Sequence, residues 1–179
     1  PLNAILGFAQ LMETGLPEPT AKQNRSIGQI QKAGWYLLEL INEILDLALI
    51  ESDRVTLSGE PVALNAVLSE CYGMVETQAQ QRGIHLDFPH VDRAHFVHAD
   101  RTRVKQVLVN LLVNAIKYNR AKGSVAVESS LSSPGVVRIT VRDTGLGLSP
   151  VQLGQLFQPF NRLGREAGVE EGTGIGLVV

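Results

Sequence analysis

Cysteine is nearly absent from this 179-residue chain, and so is any apolar run approaching the roughly 18 residues that a membrane span requires. The lone thiol, Cys71, can form no internal disulfide. Its place on the apolar side of a predicted helix marks a buried, inert group rather than a reactive one, as suits a reducing cytosol. The N-terminus has no charged leader followed by an apolar stretch, so the piece is expected to be cytoplasmic and to make no membrane contact, whatever anchor a longer parent carries. Net charge is also small. With 16 basic against 18 acidic residues, a balance of -2 and the basic ones scattered, nothing steers the chain toward a polyanion, and nucleic acid is excluded as an expected partner. The four histidines, His85, His90, His95 and His98, follow no zinc-ligand spacing. No serine or cysteine has a motif-level partner for nucleophilic catalysis.

Hydrophobic residues make up 44% of the chain, enough for one good core or a modest core with a helical appendage. From Ala21 to about Glu51 the positions Ile27, Ile30, Gly34, Leu37, Ile41, Ile44 and Ala48 recur in steps of three and four, which is a heptad seam. Leu38 and Leu45 widen it beyond a two-stranded coil, as in a four-helix bundle. Leu2, Ile5, Ala9 and Met12 keep the same steps and are broken by Gly15-Leu16-Pro17-Glu18-Pro19, so residues 1–54 are expected to form a helical hairpin that pairs with a second copy. Docking on the rest of the same chain is the alternative.

Ser52 to Leu64 reads as a linker, and residues 60–179 as an α+β sandwich, with an antiparallel or mixed sheet covered on one face by helices. A helix is predicted from about Asn65 to Arg82 and another after an Asp100 N-cap, carrying Val104, Val107, Leu108, Leu111, Leu112, Ala115 and Ile116. Strands are predicted around Ile84 to Phe88, at Phe96-Val97, and on either side of the Ser132-Ser133-Pro134-Gly135 turn. Ser149-Pro150 reads as a cap followed by proline at the first helical position.

Four local patterns carry possible chemistry. Asn110 and Asn114 lie one turn apart on an otherwise apolar helix, where asparagine is disfavoured. They fit either a Mg²⁺ site, the ion preferring hard oxygen donors, or amides spent on neighbouring backbone. Lys117 and Tyr118 follow within a turn, where they can meet phosphate oxygens or simply complement the helix dipole. Asp143 enters Thr144-Gly145-Leu146-Gly147. Its carboxylate can accept from the exocyclic amine that adenine has and guanine lacks at that position, while Gly145 and Gly147 admit the base closely; an ordinary turn is the other reading. Gly172-Thr173-Gly174-Ile175-Gly176-Leu177 can open a helix whose first amides hold phosphate, or be a plain flexible linker. It matches neither a Walker loop nor a dinucleotide fingerprint. Between Phe160 and Gly172 the polar, glycine-containing stretch reads as a mobile lid with Arg162 facing phosphate charge.

The order Asn110-Leu111-Leu112-Val113-Asn114-Ala115-Ile116-Lys117-Tyr118, Asp143-Thr144-Gly145-Leu146-Gly147, Phe157-Gln158-Pro159-Phe160 and then the glycine run resembles the ATP-binding domain of sensor histidine kinases. Those belong to the wider superfamily of gyrase, Hsp90 and MutL ATPases. Pro1-Leu2-Asn3-Ala4-Ile5-Leu6-Gly7-Phe8 is similar to the residues that follow the family's H-E-x-x-T-P motif on its first dimerisation helix. The resemblance implies that Asn114, with Asn110, binds Mg²⁺ and that Lys117 and Tyr118 contact phosphate. It implies too that Asp143 reads adenine, Phe157 and Phe160 shape an aromatic box, and Gly172, Gly174 and Gly176, with Thr173 and Leu177, form the lid-end phosphate site. It implies an ATP-dependent protein-histidine kinase working as a homodimer, with a response-regulator receiver domain as partner. The family's phosphoacceptor histidine falls five residues before Pro1, so the chain alone is expected not to phosphorylate itself. Two rivals remain: an ATPase clamp of the same superfamily, and a non-catalytic dimeric scaffold.

Overall fold

The chain divides into two units, Pro1–Arg54 and Val55–Val178, in a computed structural model that describes residues 1–51, 56–88, 95–161 and 173–178. In the first unit α1 (Leu2–Glu13) and α2 (Ala21–Glu51) pack as the expected hairpin. Thr20 starts α2: its N–H donates to Gln23 Oε1 at 2.8 Å and its hydroxyl accepts from Gln23 N–H at 3.4 Å, a reciprocal capping box. Leu6, Ala9 and Ile27 are buried between the helices. Gly34 admits Leu6, since a Cβ there would stand 2.7 Å from Leu6 Cδ2. The rest of the seam is not covered: Ile30, Leu37, Ile41 and Ile44 stay 40–45% exposed.

The second unit runs β1 (Glu60–Ala63), α3 (Leu64–Gln81), β2 (His85–Asp87), β3 (Phe96–Ala99), α4 (Arg101–Lys117), β4 (Ser124–Ser133), β5 (Val136–Asp143) and α5 (Pro150–Leu153). The sheet is mixed: β4 lies between β2, parallel to it, and β5, antiparallel, with Val125 opposite Asp143 and Val127 opposite Val141. Two strand expectations need correction. The last residues of the predicted linker form β1, which pairs antiparallel with β3 in a separate two-stranded sheet. Glu60-Pro61-Val62-Ala63 carries a single strongly apolar side chain, so its alternation was too weak to read as a strand. The strand predicted across Ile84 to Phe88 narrows to His85–Asp87.

The core is one cluster. Val67, Leu68, Cys71, Val75 and Ala79 from α3 meet Leu108, Leu112, Ala115 and Ile116 from α4 over Val125 and Val127 of the sheet. Each Val or Leu so buried contributes about 1.5–3 kcal/mol relative to exposure, so this face decides stability. Tyr72 and Phe88 meet edge to face at 5.2 Å. On the outside of the α3–α4 pair, Glu70 binds Arg101 and lies 3.6 Å from Lys105. Asp100 caps α4 as expected: it accepts from Arg103 N–H and from Ser58 N–H, each at 3.1 Å, and these two donors hold its carboxyl below the usual carboxylate range. Ser149 and Gln152 close a second capping box, with Pro150 at the first helical position of α5.

Candidate functional site

Packing Leu108, Leu112, Ala115 and Ile116 inward turns the opposite face of α4 outward, and that face carries Asn110 and Asn114. Their amides have different fates. Asn110 Nδ2 donates to the Gly176 carbonyl at 2.8 Å, so this side chain ties the glycine run to the helix. The Asn114 amide is half-buried and has no hydrogen-bond partner among the described residues. One free amide oxygen on a rigid helix suits Mg²⁺, which takes few protein oxygens and fills its octahedron with phosphate and water. One turn further, Lys117 Nζ stands 5.0 Å from the centre of the Tyr118 ring. Arg82 holds this end of the helix by donating to the Lys117 carbonyl at 3.1 Å.

Asp143 ends β5 and is exposed. Its Oδ1 accepts from Gly145 N–H at 2.7 Å, which fixes the carboxylate plane, while Oδ2 has no partner among the described residues. Gly145 passes so close to α4 that a Cβ on it would lie 2.6 Å from the Tyr118 carbonyl oxygen. Gly147 has φ +69°, a left-handed conformation that suits glycine. The structure therefore brings the acid and the asparagine helix together, and three residues that sequence reasoning missed complete the junction. Asn119, Gly123 and Thr144 form it: Asn119 Nδ2 donates to the Ala115 and Ser124 carbonyls, both at 3.0 Å, and Thr144 Oγ1 donates to Asn119 Oδ1 at 3.0 Å. The signals in the sequence were an asparagine just past a helix end, a position that turns commonly fill, and a threonine inside the Asp143 to Gly147 pattern.

The glycine run also joins the site, in a shape other than the one expected. Residues 173–178 make a turn closed by Val178 N–H to the Ile175 carbonyl at 2.7 Å, and no helix opens among the described residues. The reason is local: Gly174 at φ +77° turns the chain left-handed, and a Cβ on it would stand 2.9 Å from the Phe160 carbonyl carbon. Ile175 is completely buried and pins the turn, with Thr173 Oγ1 accepting from its N–H at 3.4 Å. Leu177 is half-buried in the same turn. Phe157 and Phe160 are 68% and 56% exposed. Phe160 itself has φ +62°, uncommon for an aromatic residue and a mark of local strain. Arg162, Gly172 and the predicted lid between Phe160 and Gly172 fall outside the described residues.

The arrangement offers oxygen ligands, a cation and an oriented carboxylate, which is equipment for binding a charged nucleotide. Residues 99–179 match the family described as histidine kinase-, DNA gyrase B- and HSP90-like ATPase, and residues 1–53 match the His Kinase A (phospho-acceptor) domain. The catalytic domain of the histidine kinase ThkA is 30% identical, and the alignment covers 67% of this chain and 75% of that structure, with a TM-score of 0.58.

The chain belongs to the histidine kinase family.

Other members match most or nearly all of its length. The cell-division control histidine kinase PdhS of Brucella canis is 34% identical over 99% of the chain, which spans 18% of that relative. Full-length ShkA, solved in complex with AMPPNP, is 30% identical with a TM-score of 0.80 over 99% of this chain and 36% of its own. ThkA solved with the response regulator protein TrrA matches over 90% of this chain and 46% of its own, with 27% identity and a TM-score of 0.62. Among the first curated relatives the histidine kinase chain covers between 18% and 34% of their length.

Proposed function

We propose that residues 60–179 bind ATP with Mg²⁺ and deliver its γ-phosphoryl group to a histidine, from which it passes to an aspartate on a response-regulator receiver domain. The observation that carries this is the junction at Tyr118 and Gly145. It sets the Asn114 amide and Asp143 Oδ2, both without a partner among the described residues, on two elements in direct contact. The family match over both units supports it, as do the AMPPNP held by ShkA and the regulator held by ThkA.

Each residue has a task in this reading. Asp143 accepts the exocyclic amine of adenine, and Gly145 and Gly147 let the ring lie close to backbone. Asn114 offers its amide oxygen to Mg²⁺, which when bound neutralises phosphate charge and organises the transferring group. Asn110 holds the turn of Thr173, Gly174 and Leu177 near the phosphates through the Gly176 carbonyl, and Gly172 contributes to the same phosphate site. Lys117 and Arg162 supply positive charge, Tyr118 a hydroxyl, and Phe157 and Phe160 apolar cover. The chemistry is positioning and charge neutralisation. None of the histidines on the described strands is the acceptor: His85 lies on β2 and His98 on β3, with His95 just before it, all within the nucleotide-binding unit.

Residues 1–54 serve as the dimerisation hairpin. An isolated hairpin that leaves Ile30, Leu37, Ile41 and Ile44 nearly half exposed has an apolar stripe to cover, and a second copy supplies the same stripe. No helix among the described residues is long and apolar enough to cross a membrane. The test of the functional reading is calorimetric titration with ATP and GTP, in Mg²⁺ and in EDTA. Tight, Mg²⁺-dependent binding of ATP supports it; no ATP binding in either condition overturns it.

A further inference from the structure

The side-chain amide of Asn119 is fully hydrogen-bonded. Its two N–H groups go to the Ala115 and Ser124 carbonyls, and its Oδ1 accepts from the Thr144 hydroxyl and from Arg120 N–H, each at 3.0 Å. Thr144 is held as firmly. Its hydroxyl accepts from Ser124 N–H at 2.9 Å and its own N–H donates to the Ser124 carbonyl at 3.2 Å. These bonds join three elements at one point: the end of α4, the first residue of β4 and the turn after β5. Gly123 is what admits the pair, because a Cβ there would collide with Asn119 Oδ1 and stand 2.6 Å from Thr144 Oγ1.

We propose that Asn119 and Thr144 are positioning residues that fix the spacing between the base-reading end of the nucleotide site and its metal and phosphate end, and so set its preference for adenine. Asp143 and Gly145 flank Thr144, so the orientation of the carboxylate follows the threonine. Asn114 and Lys117 lie on the helix that Asn119 terminates. A nucleotide reaches both ends through a ribose and phosphate linker of limited span, so a displaced turn loses the amine contact first and the phosphate contacts less. The proposal rests on the ATP-binding reading above and adds to it which residues hold the ruler.

The experiment uses the whole chain and four proteins: unaltered, Thr144→Val, Thr144→Ser and Gly123→Ala. For each, ATP and GTP affinities are measured by calorimetry alongside the melting temperature. Thr144→Val keeps the shape and removes the hydroxyl, whereas Gly123→Ala keeps both polar side chains and wedges them apart. The expected result is an ATP preference of about tenfold or more in the unaltered chain and in Thr144→Ser. In Thr144→Val and Gly123→Ala it should collapse to within about threefold, mainly through weaker ATP binding. A purely structural strut would lower the melting temperature and leave the ratio unmoved in the folded fraction, and that result overturns the proposal while the ATP-binding reading stands. Failure of both variants to fold assigns the pair a structural role only and overturns it as well. If the unaltered chain binds no ATP, or ATP and GTP alike, the adenine reading itself falls and takes this proposal with it.

Discussion

Asn110 and Gly176, 66 residues apart, are joined by a 2.8 Å hydrogen bond from side-chain amide to carbonyl. The two asparagines of α4 therefore differ: the Asn110 amide is bonded to protein, and the Asn114 amide has no hydrogen-bond partner among the described residues. Asn110→Ala removes a neutral hydrogen bond of about 0.5–1.5 kcal/mol and should weaken ATP binding up to about tenfold, equally in Mg²⁺ and in EDTA. Asn114→Ala should weaken it in Mg²⁺ far more than in EDTA. Paired titrations separate the two, and equal sensitivity of Asn114→Ala to both conditions would return that residue to a structural role.

Asp143→Asn keeps the size and the Gly145 contact but replaces a charged acceptor with a neutral amide. The loss of a charge-assisted bond, about 1.5–3 kcal/mol, should reduce ATP affinity by roughly ten- to a hundredfold and leave GTP affinity nearly as it was. Competition of the two nucleotides against a fluorescent ATP analogue measures the ratio directly.

Leu37→Asp or Ile41→Asp should dissociate the proposed dimer. Both positions are 40–45% exposed on α2 of a single chain, and covering them with a partner helix would bury an unpaired carboxylate, which is strongly unfavourable. Sedimentation equilibrium should show the unaltered chain at twice the mass of either variant. Equal masses would remove the bundle.

Asp100 should make folding of the second unit sensitive to acid. Its carboxyl is held below its ordinary value of 3.8, first by Arg103 N–H and then by Ser58 N–H. A depressed folded-state pKa adds stability that is fully present above the unfolded value and is lost as pH falls through the folded one. The melting-temperature gap between the unaltered chain and Asp100→Ala should thus be widest near neutrality and shrink below about pH 4. A gap that stays constant from pH 7 to pH 3 would contradict the cap's role.

The elements legible in the sequence were those whose pattern is local. Val104 to Ile116 gave α4 through its period, Asp100 and Ser149-Pro150 gave two helix starts through cap chemistry, and Ser132 to Gly135 marked the β4–β5 turn. Strand β1 was hidden because Pro61 and a single buried Val62 make no alternation; it is ordered by its ladder with β3, a long-range pairing that no window shows. The candidate site was legible as a set of residue patterns, and folding joins Asn110 to Gly176 and sets Gly145 against the Tyr118 carbonyl. Its supporting bonds were not. Asn119 and Thr144 are ordinary turn residues until folding sets them 3.0 Å apart, and nothing local marks Ile175, inside a run that reads as a helix start or a linker, as fully buried.

Cys71 is fully buried against α4, and its burial pushes the thiol pKa up, so little thiolate forms at neutral pH. With this the sole cysteine, the protein presents maleimide reagents with no competing surface thiol. A cysteine placed at Leu146, 90% exposed three residues past Asp143, would take a fluorophore at that one position without any prior removal of a native thiol. The same molecule that binds nucleotide could then be made to report its arrival optically, in dilute solution and in real time.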